Sequence, residues 1–171
     1  MMRQEILFLR HGKAAHAADV PDFERPLKPQ GEQQARKIGL WMQSNRAIPD
    51  VVLTSPAKRA YDTACTALRA AGIDDGMIRT DPRLYFDTTR NLMAALAACD
   101  GAGARLLVVG HNPWMEELVL NLASDRPAHP GGNWFMKTGT LMRFEVPDLK
   151  SGLAAGQGQL LDYVLADSLV K

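Results

Sequence analysis

The sequence has few cysteines and no surplus of one charge. Its two cysteines, Cys65 and Cys99, lie in separate alanine-rich stretches, which argues against a disulfide framework and against a Cys-x-x-Cys metal or redox site. The 20 lysine and arginine residues balance 19 aspartate and glutamate residues without forming a basic cluster. Nucleic-acid-binding faces need such a cluster, so we expect no nucleic-acid partner.

Long apolar runs are also missing. Residues 6–9 and 106–109 form apolar runs the size of buried strands, far short of the about 18 residues that a membrane span requires. The run at 6–9 is also too short for a signal peptide. We therefore expect a cytoplasmic protein with no membrane partner. A length of 171 residues suffices for one hydrophobic core, so we expect residues 1–171 to form a single domain and the protein to be a monomer.

Short apolar segments alternate with helical patterns along the chain. The apolar segments lie at 6–9, 51–53 and 106–109, and the helical patterns at about 31–45, 56–71, 88–99 and 113–123. Continuous rather than alternating hydrophobicity is typical of strands that are covered on both faces, as in a parallel sheet. This order predicts an α/β fold.

Two of the predicted helices have marked starts. Ser55 and Asn112 each precede a proline, and a capping side chain followed by proline at the first helical position is a favoured helix N-terminus. We therefore interpret Ser55 as a helix cap. Arg59 then lies in the first turn of its helix, beside the helix's positive end.

The last third of the chain has a different texture. Residues 125–135 (DRPAHPGGNWF) are rich in proline and glycine and predict a long loop. Whether residues 124–136 fold over a site is left open by the sequence. Residues 140–146 and 159–165 have strand character and flank a glycine-rich connection, which predicts an antiparallel hairpin at the sheet edge.

Each of the three buried strands ends in a polar cluster. The clusters are LFLRHGK (7–13), VLTSPAKRA (52–60) and LVVGHNP (107–113). Because the carboxyl ends of parallel strands meet at one edge of a sheet, we expect Arg10, His11, Arg59 and His111 to surround one point. Guanidinium groups and helix N-termini favour a tetrahedral oxyanion such as phosphate, and a neutral imidazole is a competent nucleophile toward phosphorus.

These clusters resemble the motifs of the histidine phosphatase superfamily, also called phosphoglycerate mutase-like. LFLRHGK resembles its RHG signature, TSPAKRAYDTA (54–64) its SP-x-x-RA-x-x-TA segment and VVGHNP (108–113) its second-histidine motif. DFERPLKPQGEQQA (22–35) resembles the D-x-x-RPL-x-x-x-G segment of the SixA-type branch, whose members are phosphohistidine phosphatases acting on phosphorelay proteins. The resemblance implies a three-layer α/β/α sandwich with a mostly parallel central sheet and antiparallel edge strands.

The resemblance also implies roles for individual residues. His11 becomes the nucleophile that is phosphorylated, and Arg10, Arg59 and His111 hold the phosphoryl oxygens. Asn112, in the second-histidine motif, joins the phosphate-binding set. The family hydrolyses its phosphohistidine with water, so neither a cofactor nor a metal is implied.

The sequence departs from the large mutases and sugar phosphatases at the position of their proton-donating glutamate. The corresponding stretch, RLYFDTTRNL (83–92), contains no glutamate, and Asp87 is its only carboxylate. Alkoxide leaving groups need a positioned acid, worth roughly 10²–10⁴-fold, whereas an imidazole can be protonated before it leaves. The site thus favours phosphohistidine over phosphate esters. The short spacing from Arg59 to His111, filled by a helix, a short strand and another helix, leaves little chain for a lid.

Two alternatives remain beside phosphohistidine hydrolysis on a histidine-containing phosphotransfer protein. One is a general small-molecule phosphomonoesterase, acting on a small phosphate ester with Asp87 as a weak acid. The other is a catalytically quiet phosphoprotein-binding module, against which the presence of all four cationic and imidazole side chains argues.

Other polar residues are open to plainer interpretations. His16 and His129 lie in predicted loops and are interpreted as surface histidines. Arg25 either steers an acidic substrate or forms an ion pair with Asp22 or Glu24. Since His11 must be neutral to attack, we expect the rate to fall on acidification through its pKa, and a flat profile from pH 5 to 8 would argue against an imidazole nucleophile.

Overall fold

The structure is a computed structural model that describes residues 3–85, 88–99, 103, 105–125, 135–150 and 153–170. Its strands are β1 (Gln4–Arg10), β2 (Val51–Thr54), β3 (Ile78–Thr80), β4 (Arg105–Gly110), β5 (Thr140–Val146) and β6 (Gln159–Leu165). Its α-helices are α1 (Pro29–Ser44), α2 (Lys58–Ala70), α3 (Thr89–Ala97) and α4 (Trp114–Leu122). The order confirms the predicted alternation of strands and helices.

The six strands form one mixed sheet in the order β3-β2-β4-β1-β5-β6. The pairs β2–β3, β2–β4 and β1–β4 are parallel, and β5 is antiparallel to both β1 and β6. The predicted antiparallel pair at the edge is confirmed. In the register, Arg10 pairs with Gly110 and Thr54 pairs with Val109, so β1, β2 and β4 end side by side at one edge.

Helices cover both faces of the sheet. On one face, Ile38 of α1 and Leu68 of α2 pack in the same cluster as Leu7 of β1. On the other face, Leu96 of α3 and Leu118 of α4 pack in one cluster with Phe8. Alternate residues of β1 thus lie in opposite cores, which explains why the central strands are apolar throughout. The architecture is a three-layer α/β/α sandwich.

The predicted helix caps are wrong. Helix α2 begins at Lys58, and its N-terminal flanking residue is Ala57; the Ser55 hydroxyl accepts a hydrogen bond from Ala57 N at 3.2 Å, which is a local turn rather than a helix cap. Helix α4 begins at Trp114, and the Asn112 side chain donates to a carbonyl outside the helix. Both polar side chains instead form hydrogen bonds outside their helices, Ser55 with His111 and Asn112 with Met136 O.

Part of the late loop lies outside the described residues, namely 126–134. Most of the long loop predicted at 125–135 therefore lies outside the described residues, as does His129, and so does most of the segment 124–136 for which coverage of a site was left open. In the described part of the chain, no helix combines the length and the apolar character that crossing a membrane requires.

Candidate active site

The ends of β1, β2 and β4 open into a polar cavity of about 270 Å³. Among the described residues, its lining includes Arg10, His11, Lys13, Ala14, His16, Arg25, Arg59, His111, Asn112 and Thr138. The structure thus brings together all five residues for which the sequence predicts a catalytic or phosphate-binding role. Asp87, the sixth candidate, lies outside the described residues. Lys58 pairs with Asp62 at 3.0 Å on the surface of α2.

His11 is held at both its backbone and its ring. Its backbone N–H donates to Gly110 O at 3.0 Å, extending the β1–β4 ladder by one residue, and its carbonyl accepts from Gly139 N. Its ring Nδ1 lies 2.7 Å from Gly12 O. Because a carbonyl only accepts, Nδ1 carries the proton and Nε2 carries the lone pair. His11 is therefore oriented as an Nε2 nucleophile.

The surroundings of His11 keep its ring neutral. Burial lowers the pKa of His11 to about 3, and the nearby cations Arg59 and Arg10 act in the same direction, while the hydrogen bond to Gly12 opposes them. The ring is only 8% exposed, and desolvation disfavours a buried imidazolium. The lone pair on Nε2 is therefore available across the physiological pH range.

His111 faces His11, with 5.1 Å between the ring centroids. Burial, together with His11 and Arg59, lowers the pKa of His111 to about 2. Its Nε2 lies 2.8 Å from the hydroxyl of Ser55. Ala57 N already donates to that hydroxyl, so of the two described partners only His111 Nε2 can accept the hydroxyl proton. His111 then presents Nδ1 as an N–H donor, and this buried atom has no other partner among the described residues.

Arg59 is almost fully buried and is held from one side. Its Nη1 donates to the backbone carbonyl of Asp22 at 2.7 Å and its Nη2 to the Asp22 carboxylate at 3.1 Å. The buried Nε has no partner in the described part of the chain. Asp22 thus binds the side of the guanidinium formed by Nη1 and Nη2. The Nε hydrogen and the second Nη2 hydrogen lie on the adjacent side, where they can bind two oxygens of one oxyanion.

Asp22 is the centre of a small network at the cavity mouth. Besides Arg59, it accepts hydrogen bonds from Arg25 Nε at 3.0 Å and from the Tyr85 hydroxyl at 2.7 Å. The hydrogen bond from Tyr85, with the charge and hydrogen bonds of Arg59 and Arg25, lowers the pKa of Asp22 to about 2. The predicted ion pair of Arg25 with Asp22 is confirmed, and Arg25 also lines the cavity.

Arg10 and Asn112 are joined through one backbone carbonyl. Arg10 Nη1 and Asn112 Nδ2 both donate to Met136 O, at 2.9 and 3.0 Å. The backbone N–H of Met136 donates to the buried carboxylate of Glu116 on α4 at 2.8 Å. Glu116 therefore fixes the segment that orients two of the cavity's donor side chains.

The loop after β1 is packed backbone to backbone against α1. A Cβ atom at Gly12 would lie 2.5 Å from Gly31 O, and one at Gly31 would lie 2.2 Å from Lys13 O. Gly12 N also donates to the Thr63 hydroxyl at 3.0 Å, and Lys13 N donates to Gln34 Oε1 at 2.9 Å. This close approach requires glycine at both positions and fixes in place the loop that carries His11.

The end of the chain also braces this loop. Gly139 N donates to the carbonyls of Arg10 and His11, and its own carbonyl accepts from Ala166 N. The amide of Gln34 donates to the carboxylate of Asp167 at 3.0 Å. Residues that flank β5 and β6 thus hold the loop that carries His11.

Together these groups form a cationic pocket that contains a neutral imidazole. Two guanidinium groups and the N–H of His111 converge beside the lone pair of His11 Nε2. Such a set can bind a phosphoryl group, stabilise the charge that develops on its oxygens and attack its phosphorus.

Some residues of the site were not identified as functional by the sequence. The sequence predicts that Ser55 is a helix cap, whereas in the structure its hydroxyl binds and orients His111. Glu116 and Tyr85 look in the sequence like ordinary helix and loop residues. Asp22 belongs to the D-x-x-RPL motif, but its hydrogen bond with Arg59 joins residues far apart in the chain, so the motif alone does not predict it. For Ser55, its place inside the SP-x-x-RA motif was the available signal.

Known proteins resemble this chain in sequence and in fold. The model of the histidine phosphatase superfamily (branch 1) matches residues 6–85. An uncharacterized protein of Mycobacterium tuberculosis strain H37Rv is 35% identical over 116 residues, which cover 68% of this chain and 70% of that protein. The chain belongs to the histidine phosphatase superfamily.

Solved structures indicate to which branch of the superfamily the chain belongs. An Agrobacterium tumefaciens structure, provisionally assigned as the phosphohistidine phosphatase SixA, is 27% identical, with a TM-score of 0.77 over 95% of this chain and 97% of that one. A protein histidine phosphatase SixA complexed with tungstate shares the fold, with a TM-score of 0.78 and 23% identity over 96% of this chain and 98% of that one. Within the superfamily, the chain is of the SixA type.

Proposed function

We propose that the protein removes the phosphoryl group from phosphohistidine on another protein, through a covalent intermediate on His11. The observation that carries this proposal is the neutral His11 ring, whose Nδ1 proton is bound to Gly12 O while the cavity beside Nε2 is lined by Arg10 and Arg59. Arg10, Arg59, His111 and Asn112 are the proposed phosphate ligands.

The proposed reaction has two displacements at phosphorus. His11 Nε2 attacks, the new P–N bond forms as the bond to the substrate's imidazole breaks, and a ring that arrives protonated leaves as neutral imidazole. Water then attacks the phosphorylated His11, the bonding electron pair returns to Nε2 and phosphate is released with a proton passed to solvent. Arg59 and the N–H of His111 stabilise the oxygens in both steps.

The carboxylates around the described part of the cavity favour a leaving group that needs no acid. Asp22 is ionised, because its pKa is lowered to about 2, so it has no proton to give. Glu116 accepts a hydrogen bond from Met136 N and is not among the residues lining the cavity. An alkoxide leaving group would lack a donor there, whereas a protonated imidazole leaves unaided.

The similar Agrobacterium structure supports the same substrate class through its assigned name. A histidine-containing phosphotransfer protein is thus the proposed partner, and a small phosphate ester the alternative substrate. The single domain, the monomeric state and the cytoplasmic location stay predictions.

A side-by-side turnover assay tests the proposal. Wild type and His11→Ala are given a phosphorylated histidine-phosphotransfer domain, phosphoramidate and a panel of sugar phosphates, and the phosphoenzyme is trapped at alkaline pH. We expect wild type to prefer the P–N substrates and to carry an acid-labile label. We expect His11→Ala to lose the label and at least about 10³-fold in kcat. A thermal melt close to that of wild type controls for folding of the variant.

The other outcomes distinguish the alternatives. Turnover of sugar phosphates with a comparable kcat/KM, lost in Asp87→Ala, would identify a general phosphomonoesterase. Tight binding of the phosphorylated domain without turnover would identify a binding module. Full activity in His11→Ala would exclude His11 as the nucleophile.

A further inference from the structure

A row of four aromatic rings leads from the nucleophile to the protein surface. The ring centroids of His11 and His111 are 5.1 Å apart, those of His111 and Tyr85 are 5.7 Å apart, and those of Tyr85 and Phe23 are 5.1 Å apart. The last two pairs meet edge to face, the geometry that aromatic pairs prefer. The two inner rings are buried, at 8% exposure for His11 and 6% for His111, whereas Tyr85 is partly exposed and Phe23 is 37% exposed.

The outer half of this row is tied to the phosphate-binding half of the site. Phe23 lies in a short 3-10 turn (Asp22–Glu24), directly after Asp22, which binds Arg59. The Tyr85 hydroxyl donates to the same Asp22 carboxylate. The two outer rings therefore have a fixed position relative to the guanidinium that is proposed to hold the phosphoryl group.

Phe23 and Tyr85 are not among the described residues that line the cavity, but Tyr85 packs against His111, which lines the cavity, and Phe23 follows the residue that binds Arg59. Binding of the phosphoryl group does not by itself account for an exposed phenylalanine at this place. The proposed reaction provides a reason, since its leaving group is itself an aromatic ring. A phosphohistidine ring that is protonated on its second nitrogen is a flat cation, and aromatic faces bind such cations. The Asp22 carboxylate next to the rings adds an opposite charge. Small amine or alkyl leaving groups would gain little from such a wall.

We propose that Tyr85 and Phe23 form the binding wall for the imidazole ring of phosphohistidine and are specificity-determining residues for an aromatic leaving group. This proposal rests on the proposed function, because it names the part of the substrate that these rings contact. The phosphoryl group is held by the inner cavity, and the ring that leaves is held by the outer half of the row.

Two small P–N substrates isolate the ring contact. Phosphoimidazole and phosphoramidate both release nitrogen from phosphorus, but only the first has a ring. We expect Phe23→Leu and Tyr85→Leu each to lower the ratio of kcat/KM for phosphoimidazole to kcat/KM for phosphoramidate by about five-fold relative to wild type, the size of one lost aromatic contact. Taking the ratio cancels the different intrinsic reactivities of the two compounds.

Two further variants serve as controls. Tyr85→Phe keeps the ring but removes the hydroxyl that binds Asp22, and we expect it to retain the wild-type ratio. Tyr61→Leu removes an aromatic side chain of similar exposure, 39%, from α2 outside the row, and we expect no change with either substrate.

The outcomes separate this proposal from the proposed function. If wild type hydrolyses both compounds and the ratio is unchanged in Phe23→Leu and Tyr85→Leu, the wall is excluded while the phosphatase function stands. An equal loss with both compounds would also overturn the wall, because it would show that the rings act only by bracing Asp22 and Arg59. If wild type hydrolyses neither these compounds nor the phosphorylated histidine-phosphotransfer domain, the proposed function fails together with the wall.

Discussion

The two histidines of the cavity differ from surface histidines in what controls their charge. His11 and His111 are each less than a tenth exposed and lie beside two guanidinium groups. Burial and these cations lower the pKa of His11 to about 3 and that of His111 to about 2. The expected loss of rate on acidification through an ordinary histidine pKa is therefore corrected: in the free protein, protonation of His11, the proposed nucleophile, begins well below pH 5.

We predict that kcat/KM is flat from pH 5 to 8 once the ionisation of the substrate's phosphoryl group, measured by ³¹P NMR, has been corrected for. The reason is that kcat/KM reports the pKa values of the free enzyme. Proton NMR of the imidazole C2–H groups checks the same point without substrate, and His11 and His111 should not titrate above pH 5. A fall in rate centred near pH 6.5 would contradict this assignment of the charge state.

Two glycines of α1 pack against different parts of the molecule, Gly31 against the loop that carries His11 and Gly39 against α2. A Cβ at Gly31 would lie 2.2 Å from the Lys13 carbonyl, and a Cβ at Gly39 would lie 2.1 Å from the Ala67 carbonyl on α2. We predict that Gly31→Ala and Gly39→Ala each lower the free energy of unfolding by about 1–3 kcal/mol. Only Gly31→Ala should also lower kcat/KM, by on the order of 10²-fold, because it displaces the loop that carries His11.

Urea unfolding and turnover at a temperature where both variants are folded check this pair of substitutions. A Gly39→Ala variant that loses as much activity as Gly31→Ala would show that the site responds to any loosening of α1. Full activity in Gly31→Ala would show that the nucleophile loop tolerates the displacement.

At the scale of elements, strands and helices could be predicted best where a segment has one clear hydrophobic pattern. The apolar runs that became β1, β2 and β4 are short, continuous and followed by polar clusters, so their parallel pairing and their convergence on one cavity were predictable. Helix positions were predictable for the same reason. The starts of α2 and α4 were not, because Ser55 and Asn112 make contacts across the sheet edge that compete with capping.

Most features of the site that could not be predicted from the sequence are contacts between residues far apart in the chain. The bond from Arg59 to the carbonyl of Asp22 and the ring contact of Tyr85 with Phe23 depend on how the loops lie over the sheet. Local pattern carries no information on such contacts. The same holds for the bond of Glu116 to Met136 N, since a glutamate on α4 is by pattern an ordinary surface residue.

For the whole molecule, burying two neutral histidines makes stability depend on pH. In the unfolded chain a histidine binds a proton below about pH 6.5, whereas the folded His11 and His111 stay neutral down to about pH 3 and 2. The unfolded state therefore binds more protons below pH 6.5. The stabilisation is fully present above that pH and is lost as the pH falls.

We predict that the free energy of unfolding falls between pH 7.5 and 5.5, with a slope that approaches about 1.4 kcal/mol per pH unit for each of the two histidines. Urea titrations across this range measure the slope. The double variant His11→Asn/His111→Asn, which has no imidazole at either position, should show a much shallower dependence. An equal slope in the double variant would assign the acid sensitivity to other groups.

The contacts that hold the loop after β1 have a consequence for the folding reaction. Gly139 binds the carbonyls of Arg10 and His11 and the amide of Ala166, and Gln34 binds Asp167. These contacts join segments that are far apart in the sequence, and such contacts form slowly because long loops must close first. The cavity therefore takes its final shape only when β5 and β6 have joined the sheet.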